Sequence, residues 1–273
     1  MSAAGAPGHA RTTRRGGVVV RTVDSDPRSP RPLVVLLPRW GAPGGADFWA
    51  LAPMLATRYR TVVVEVSTTD GGTAGEDGAT LPAIETALTA VRGHGAAHLV
   101  GFSSGAATAV ALAVRNPGWT ASATLVAGWA TTDPHQRLTS RLAGEVADRP
   151  GARQAWSALS AFTPEFLAGR TEEEVRTLLE RCAWLATVPD LDVADQLGRL
   201  RVPTFVVACT ADVLAPPRHA RLLAGAVPHS RYAEVAAGHG VLTERPSEVF
   251  DHLDRFLRDT AARTPGTVPA LHA

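Results

Sequence analysis

Short apolar runs alternate with longer Ala- and Leu-rich stretches along the chain, and this alternation restricts the fold more than any other feature. Several runs, such as Leu33–Leu37 and Phe205–Cys209, are apolar on consecutive residues instead of alternate ones. That pattern is typical of strands buried on both faces, as in a parallel sheet covered by helices. The sequence therefore predicts an α/β fold with a doubly wound, mostly parallel sheet of the eight-stranded type. The predicted strands are Val18–Val23, Leu33–Leu37, Thr61–Val66, Ala97–Phe102, Ala123–Ala127, Pro203–Cys209 and Arg231–Val235, and His9–Arg14 is a further candidate.

The alternation is interrupted once, after the sixth predicted strand. No β-branched run occurs over residues 131–200, where the spacing of apolar residues is helical. This predicts a helical cap inserted into a core formed by residues 17–130 and 201–258, at the edge where open α/β folds carry their sites. Residues 1–16 and 259–273, rich in small and polar residues, are predicted to be disordered, with a hairpin of His9–Arg14 against Val18–Val23 as the alternative for the first segment.

Charge and composition exclude several classes of function. The formal net charge is +1 and no basic run stands out, which argues against nucleic acid and anionic membranes as partners. All 27 basic residues are arginine, which excludes a lysine Schiff base and a Ser-Lys dyad within this sequence. No apolar stretch reaches the roughly 20 residues of a membrane span, and the first residues lack the apolar segment of a secretory signal. A cytoplasmic protein acting on a small molecule is the expectation, while the oligomeric state is not predicted.

The segment Gly101-Phe102-Ser103-Ser104-Gly105 carries the strongest chemical signal. It follows an apolar run and precedes an Ala-rich helical stretch, which is the strand–turn–helix context that gives a G-x-S-x-G motif its meaning. In that context Ser103 is the predicted nucleophile. Ser104 is the rival nucleophile, but its position predicts instead that its backbone N–H forms half of an oxyanion hole at the helix N-terminus.

A serine nucleophile needs a base and an acid that orients it. His239 follows the last predicted strand in a loop with glycines on both sides, and it is the predicted base. Asp212 directly follows the preceding strand and is the predicted acid, since the order Ser103, Asp212, His239 is that of nucleophile, acid and base in α/β-hydrolases. Glu65 and Asp70, near the end of an earlier strand, are the alternatives for the acid.

These motifs, together with Asp212 before Pro216-Pro217 and Gly238-His239-Gly240, resemble the α/β-hydrolase fold family over roughly Val18 to Arg258. The chain is most similar to the cofactor-free branch of esterases, enol-lactonases, C–C bond hydrolases and haloperoxidase-like enzymes. The resemblance implies a hydrolytic triad and a cap that shapes the pocket, and it implies neither a metal nor an organic cofactor.

The sequence departs from this family after the third strand. Pro38-Arg39 stands where the family has His-Gly, before the residue whose N–H completes the oxyanion hole. In one register that residue is Trp40, which we prefer, and in the other it is Ala42. Arg39 is predicted either to attract a substrate carboxylate near the pocket or to point into solvent.

Bulky aromatic residues in or beside the predicted cap offer a pocket wall for a hydrophobic or aromatic substrate, with packing inside the cap as the alternative. The residues proposed to contact substrate are Trp129, Trp156, Phe162 and Trp184. The leading functional hypothesis is hydrolysis of an ester, lactone or thioester through an acyl-Ser103 intermediate. Non-hydrolytic chemistry on the same triad (a lyase, cyclising or C–C bond-forming enzyme) and a ligand receptor with a vestigial triad are the alternatives.

Overall fold

The computed structural model describes residues 8–42, 45–69, 78–93, 95–182 and 188–261. Over these residues eight strands form one sheet, in the order β1-β2-β4-β3-β5-β6-β7-β8. The β1–β2 and β2–β4 pairs are antiparallel and all other pairs are parallel, which confirms the predicted sheet. The strands are β1 His9–Arg15, β2 Val18–Asp24, β3 Leu33–Leu37, β4 Arg60–Thr68, β5 Ala97–Phe102, β6 Thr120–Val126, β7 Thr204–Cys209 and β8 Arg231–Val235.

Helices cover both faces of this sheet. They are α1 Leu51–Ala56, α2 Thr80–Arg92, α3 Gly105–Arg115, α4 Pro134–Val146, α5 Pro150–Ala161, α6 Pro164–Ala168, α7 Glu172–Cys182, α8 Ala194–Leu197, α9 Pro217–Ala226, α10 Val241–Glu244 and α11 Pro246–Ala261. Every residue of β3, β5 and β7 is buried. Because neighbouring side chains of a strand point to opposite faces, Val35 and Leu37 pack with α2, α3 and α9, whereas Val34 and Leu36 pack with α1 and α11. This two-sided burial explains the unbroken apolar runs.

Both predictions of disordered ends need correction where the structure describes them. Residues 9–15 are not disordered but form β1, which pairs with β2 from His9↔Asp24 to Arg15↔Val18. The turn between these strands has Gly16 and Gly17 at φ 56° and 78°, a conformation that glycine adopts without steric cost. At the other end, α11 continues to Ala261, so residues 259–261 are helical. Residues 1–7 and 262–273 lie outside the described residues.

In the described part of the chain between β6 and β7 lie five helices, α4 to α8, where the sequence predicts a helical segment. We refer to residues 131–200 as the insertion. Three of its described helices begin with side-chain caps, since Asp133, Thr163 and Thr171 accept hydrogen bonds from the N–H groups of Gln136, Phe166 and Glu174 respectively. Within the described ranges, no helix is long and apolar enough to cross a membrane.

Candidate active site

Ser103 lies in a strained turn between β5 and α3. Its φ is 57°, in the left-handed region that residues with a Cβ seldom adopt, at a cost of about 1–3 kcal/mol. The surrounding backbone holds it there, because the Ser103 N–H donates to Val126 O at 2.9 Å and Ser103 O accepts from the Ala106 N–H at 3.0 Å. Such strain is characteristic of functional turns, and here it lifts the serine out of the strand at the carboxyl edge of the sheet.

Close packing explains why glycines flank this turn. A Cβ on Gly101 would lie 2.3 Å from the carbonyl oxygen of Gly105, and a Cβ on Gly105 would lie 2.2 Å from that of Leu37. No side chain fits at either position without moving backbone. The turn therefore packs directly against the end of β3, which brings Ser103 close to the segment that follows Leu37.

The structure brings the three predicted catalytic side chains together. His239 Nε2 lies 2.8 Å from Ser103 Oγ, and His239 Nδ1 lies 2.7 Å from Asp212 Oδ2. Ser103 is 6% exposed, Asp212 is 4% exposed and His239 is 2% exposed, so all three are shielded from water. The Phe102 and His239 rings are 5.5 Å apart between centroids, which restricts rotation of the imidazole.

The two carboxylate oxygens of Asp212 have separate partners. Oδ2 faces His239, whereas Oδ1 accepts hydrogen bonds from the backbone N–H groups of Leu214 and Ala215, each at 2.8 Å. This arrangement fixes the orientation of the carboxylate. Of the alternative acids, Glu65 forms an ion pair with Arg21, with 2.7 Å between Oε2 and Nη1, while Asp70 lies outside the described residues.

Trp40, and not Ala42, lies beside the nucleophile turn. The Trp40 N–H donates to Ser104 Oγ at 2.8 Å, whereas the Ala42 N–H closes a turn onto Arg39 O at 3.2 Å. This favours the first of the two registers considered for the oxyanion hole. It also revises the prediction, because in the structure the Trp40 N–H is already paired with a hydroxyl and does not point into open space.

The side chain of Arg39 is buried and does not point into solvent. Its side chain is 8% exposed and forms an ion pair with Asp47, with 2.7 Å between Nε and Oδ1, while the Arg39 backbone N–H donates to Asp47 Oδ2 at 2.9 Å. The expectation of a solvent-exposed side chain is therefore wrong. A carboxylate of the chain itself takes the place that was suggested for a substrate carboxylate, and it braces the loop that carries Trp40.

The insertion packs directly on the loop that carries His239. The Gly240 N–H donates to Ala161 O at 2.7 Å, and a Cβ on Gly240 would lie 2.7 Å from Phe162 Cε1. A Cβ on Gly238 would lie 2.5 Å from Ala161 O. The glycines beside the histidine thus permit this close approach, and Phe162, which is 4% exposed, is part of the cover over the site.

A buried carboxylate completes this contact. Glu244 is 7% exposed; its Oε1 accepts from the Thr163 hydroxyl at 2.5 Å, and its Oε2 accepts from the N–H groups of Thr163 and Gly238 at 3.2 and 3.1 Å. We call the contact between residues 161–163, residues 238–240 and Glu244 the insertion clamp. It connects the insertion to the residue next to His239.

A family model described as the alpha/beta hydrolase family matches residues 34–252. The match runs from the second residue of β3 through β8, and it includes the insertion and all three of the hydrogen-bonded site residues. The chain belongs to the alpha/beta hydrolase family. This confirms the family and the fold that the sequence predicts, and it confirms that the protein is a hydrolase.

Several other proteins, including some of known structure, are similar to this hydrolase over most of its length. It is 28% identical over 234 residues to a protein of Azorhizobium caulinodans named as a carbamate hydrolase, RutD, covering 78% of this chain and 86% of that one. It is 29% identical over 257 residues to the polyketide synthase ThaQ of Burkholderia thailandensis, covering 85% of this chain but 12% of the synthase. The crystal structure of the enol-lactonase from Burkholderia xenovorans LB400 superposes with a TM-score of 0.74 at 19% identity, covering 91% of this chain and all (100%) of that one.

The aromatic residues proposed to contact substrate lie in different surroundings in this hydrolase. Trp129 is 2% exposed within the main core, and its indole N–H donates to Thr132 Oγ1 at 2.9 Å, which favours the packing interpretation. Trp156 is half-buried against the same core, and its buried indole nitrogen has no hydrogen-bond partner among the described residues. Trp184 lies outside the described residues. Contact with substrate thus stays a prediction for Trp156 and Phe162.

Sequence reasoning missed Glu244 and Asp47. Asp47 pairs with Arg39 across a loop, and Glu244 pairs with Thr163, 81 positions away. The weak signal for Glu244 was its position in a short apolar stretch after His239. No metal centre was predicted, and across the described ranges no group of three or more His, Cys, Asp or Glu residues is placed to hold a metal ion.

Replacing Glu244 by glutamine is expected to lower the free energy of unfolding by about 1–3 kcal/mol. The amide nitrogen of glutamine cannot accept the hydrogen bonds that the carboxylate receives, so at least one buried donor loses its partner. Urea denaturation followed by circular dichroism measures the difference. Glu145→Gln, at an exposed position of α4, is the matched control. Equal stability of the two variants would show that the clamp does not need the carboxylate.

Proposed function

We propose that this alpha/beta hydrolase cleaves an ester, lactone or thioester of a small, hydrophobic or aromatic metabolite through an acyl-Ser103 intermediate. The observation that carries the proposal is the buried hydrogen-bonded series from Asp212 through His239 to Ser103, with the nucleophile at φ 57°. Each group has a partner that fits its role: a carboxylate orients the imidazole, and the imidazole faces the hydroxyl.

In the first half-reaction the Ser103 hydroxyl donates its hydrogen bond to His239 Nε2, and the Nδ1–H of the same ring donates to Asp212. Ser103 Oγ attacks the carbonyl carbon while Nε2 takes the hydroxyl proton. The imidazolium is stabilised by the Asp212 carboxylate. When the tetrahedral intermediate collapses, the bond to the leaving group breaks and Nε2 returns the proton to that group.

The second half-reaction repeats these steps with water. Nε2 takes a proton from a water molecule, whose oxygen attacks the acyl carbon. Collapse of the second tetrahedral intermediate breaks the Oγ–acyl bond and returns the proton to Ser103, which releases a carboxylic acid. We assign the Ser104 N–H, at the N-terminus of α3, to stabilise the negative oxygen in both intermediates.

The substrate class follows from the surroundings of the triad. Asp47 balances the charge of Arg39, and this pairing disfavours Arg39 as an anchor for an anionic substrate. Phe162, at the insertion clamp, presents an apolar side chain close to the site. The named relatives include a carbamate hydrolase and an enol-lactonase, both of which act on a carbonyl group next to a heteroatom. A neutral, largely apolar acyl compound fits these features, and a cytoplasmic location stays a prediction of the sequence.

A fluorophosphonate probe tests the nucleophile, and labelled water tests the reaction. We expect the probe to modify the peptide that contains Ser103, and p-nitrophenyl esters and acyl thioesters to be turned over. In water enriched in oxygen-18, one labelled oxygen is expected in the released acid. Turnover without the label in product would establish non-hydrolytic chemistry. Tight ligand binding with neither labelling nor turnover would establish a receptor instead of an enzyme.

A further inference from the structure

The Ser104 side chain is turned away from the helix that it begins. Ser104 is the N-cap residue of α3, a position where a serine hydroxyl usually accepts a hydrogen bond from an N–H of the first turn. Here its side chain makes no capping hydrogen bond. Its Oγ accepts instead from the Trp40 N–H at 2.8 Å, across the turn and toward the end of β3.

Trp40 is held in place from two directions. Its backbone N–H bonds to Ser104, and its indole N–H donates to Thr108 Oγ1 at 3.0 Å. Ser104 and Thr108 are four residues apart and lie on the same face of α3. The Arg39–Asp47 ion pair fixes the residue before Trp40. These contacts oppose any rotation of the Trp40 peptide that would direct its N–H toward a ligand.

The hydroxyl of Ser104 is left with a proton to donate. Ser104 is 1% exposed, and the part of the chain that the structure describes provides no acceptor for its O–H. A buried donor without a hydrogen-bond partner costs about 1–3 kcal/mol in stability. Such a donor therefore usually finds an acceptor, either in the protein or in a bound ligand. Because Oγ already accepts the Trp40 N–H at 2.8 Å, its own O–H is left to point to a different acceptor.

We propose that the Ser104 hydroxyl, and not the Trp40 N–H, is the second donor to the oxyanion. The proposal rests on the acyl-Ser103 mechanism above. In it the Trp40 N–H orients and polarises the hydroxyl, which donates to the negative oxygen alongside the Ser104 N–H and keeps its proton throughout. One residue thus provides both donors, and the loop with Pro38-Arg39 in place of the family's His-Gly provides the support.

Ser104→Ala tests this assignment. We expect kcat to fall by about 10–100-fold, less than the 10²–10³ typical for a lost donor, because the Trp40 N–H is freed and replaces part of the interaction. KM for a p-nitrophenyl ester should change by less than about threefold, since the oxyanion exists only after attack. Ser122→Ala is the matched control, as Ser122 is fully buried on β6 and bonds to His98.

A trifluoromethyl ketone separates the oxyanion role from a structural one. Ser103 Oγ adds to its carbonyl carbon, the proton passes to His239, and the ketone oxygen becomes the oxyanion. Its inhibition constant should rise by the same factor as kcat falls in Ser104→Ala. An unchanged or increased kcat, or a fall in kcat without weaker inhibition, would overturn the proposal. Absence of fluorophosphonate labelling in the wild-type protein would instead mark failure of the underlying mechanism.

Discussion

Replacing Ser103 by alanine is expected to lower kcat by about 10⁵–10⁶, to the background left by binding and the oxyanion donors. Alanine removes the attacking oxygen, which is the hydroxyl that His239 Nε2 contacts at 2.8 Å. Alanine tolerates φ 57° no worse than serine, so the turn should persist. Steady-state kinetics with the best p-nitrophenyl ester, at matched protein concentration, measures the loss.

Two controls make this result specific to the nucleophile. Circular dichroism and urea denaturation should show the wild-type fold and a similar free energy of unfolding, because Ser103 is not part of the apolar core. Fluorophosphonate labelling should disappear in parallel with turnover. If Ser103→Ala kept more than about a tenth of the wild-type kcat, His239 would have to activate water directly, and the acyl-enzyme mechanism would be wrong.

The replacement of Asp212 by asparagine is the second large effect, and we expect a loss of about 10⁴ in kcat. The N–H groups of Leu214 and Ala215 select which end of the asparagine faces the imidazole. They bind the amide oxygen, so the amide NH₂ is directed at His239 Nδ1. That nitrogen must then accept a hydrogen bond, the ring proton moves to Nε2, and Nε2 can no longer take a proton from Ser103.

Glu65→Gln is the control for this prediction, since Glu65 is the described alternative acid and pairs with Arg21 on the antiparallel side of the sheet. We expect its kcat to stay within about twofold of wild type, in line with the small contribution of partly exposed ion pairs. A large loss in Glu65→Gln with a small loss in Asp212→Asn would move the acid of the triad to β4.

Local patterns predicted much of the fold because each reports a local physical requirement. Unbroken apolar runs require burial on both faces, as β3 and β7 show. The glycines around Ser103 are needed because a Cβ at either would meet backbone within 2.3 Å. Residues 9–15 were harder to assign, because their side chains are mostly exposed in β1 and the strand depends on pairing with β2.

The family, the sheet and the order of Ser103, Asp212 and His239 could be predicted from the sequence, since these depend on spacing and on residues next to each other along the chain. Which partner each buried polar group takes depends on the packing of distant segments. The tertiary structure pairs Arg39 with Asp47, the Trp40 N–H with Ser104 Oγ, and Glu244 with Thr163. A buried polar group must find a hydrogen-bond partner wherever packing places one, and Trp40 and Ser104 are 64 positions apart. The spacing of residues along the chain therefore does not predict these hydrogen-bond partners.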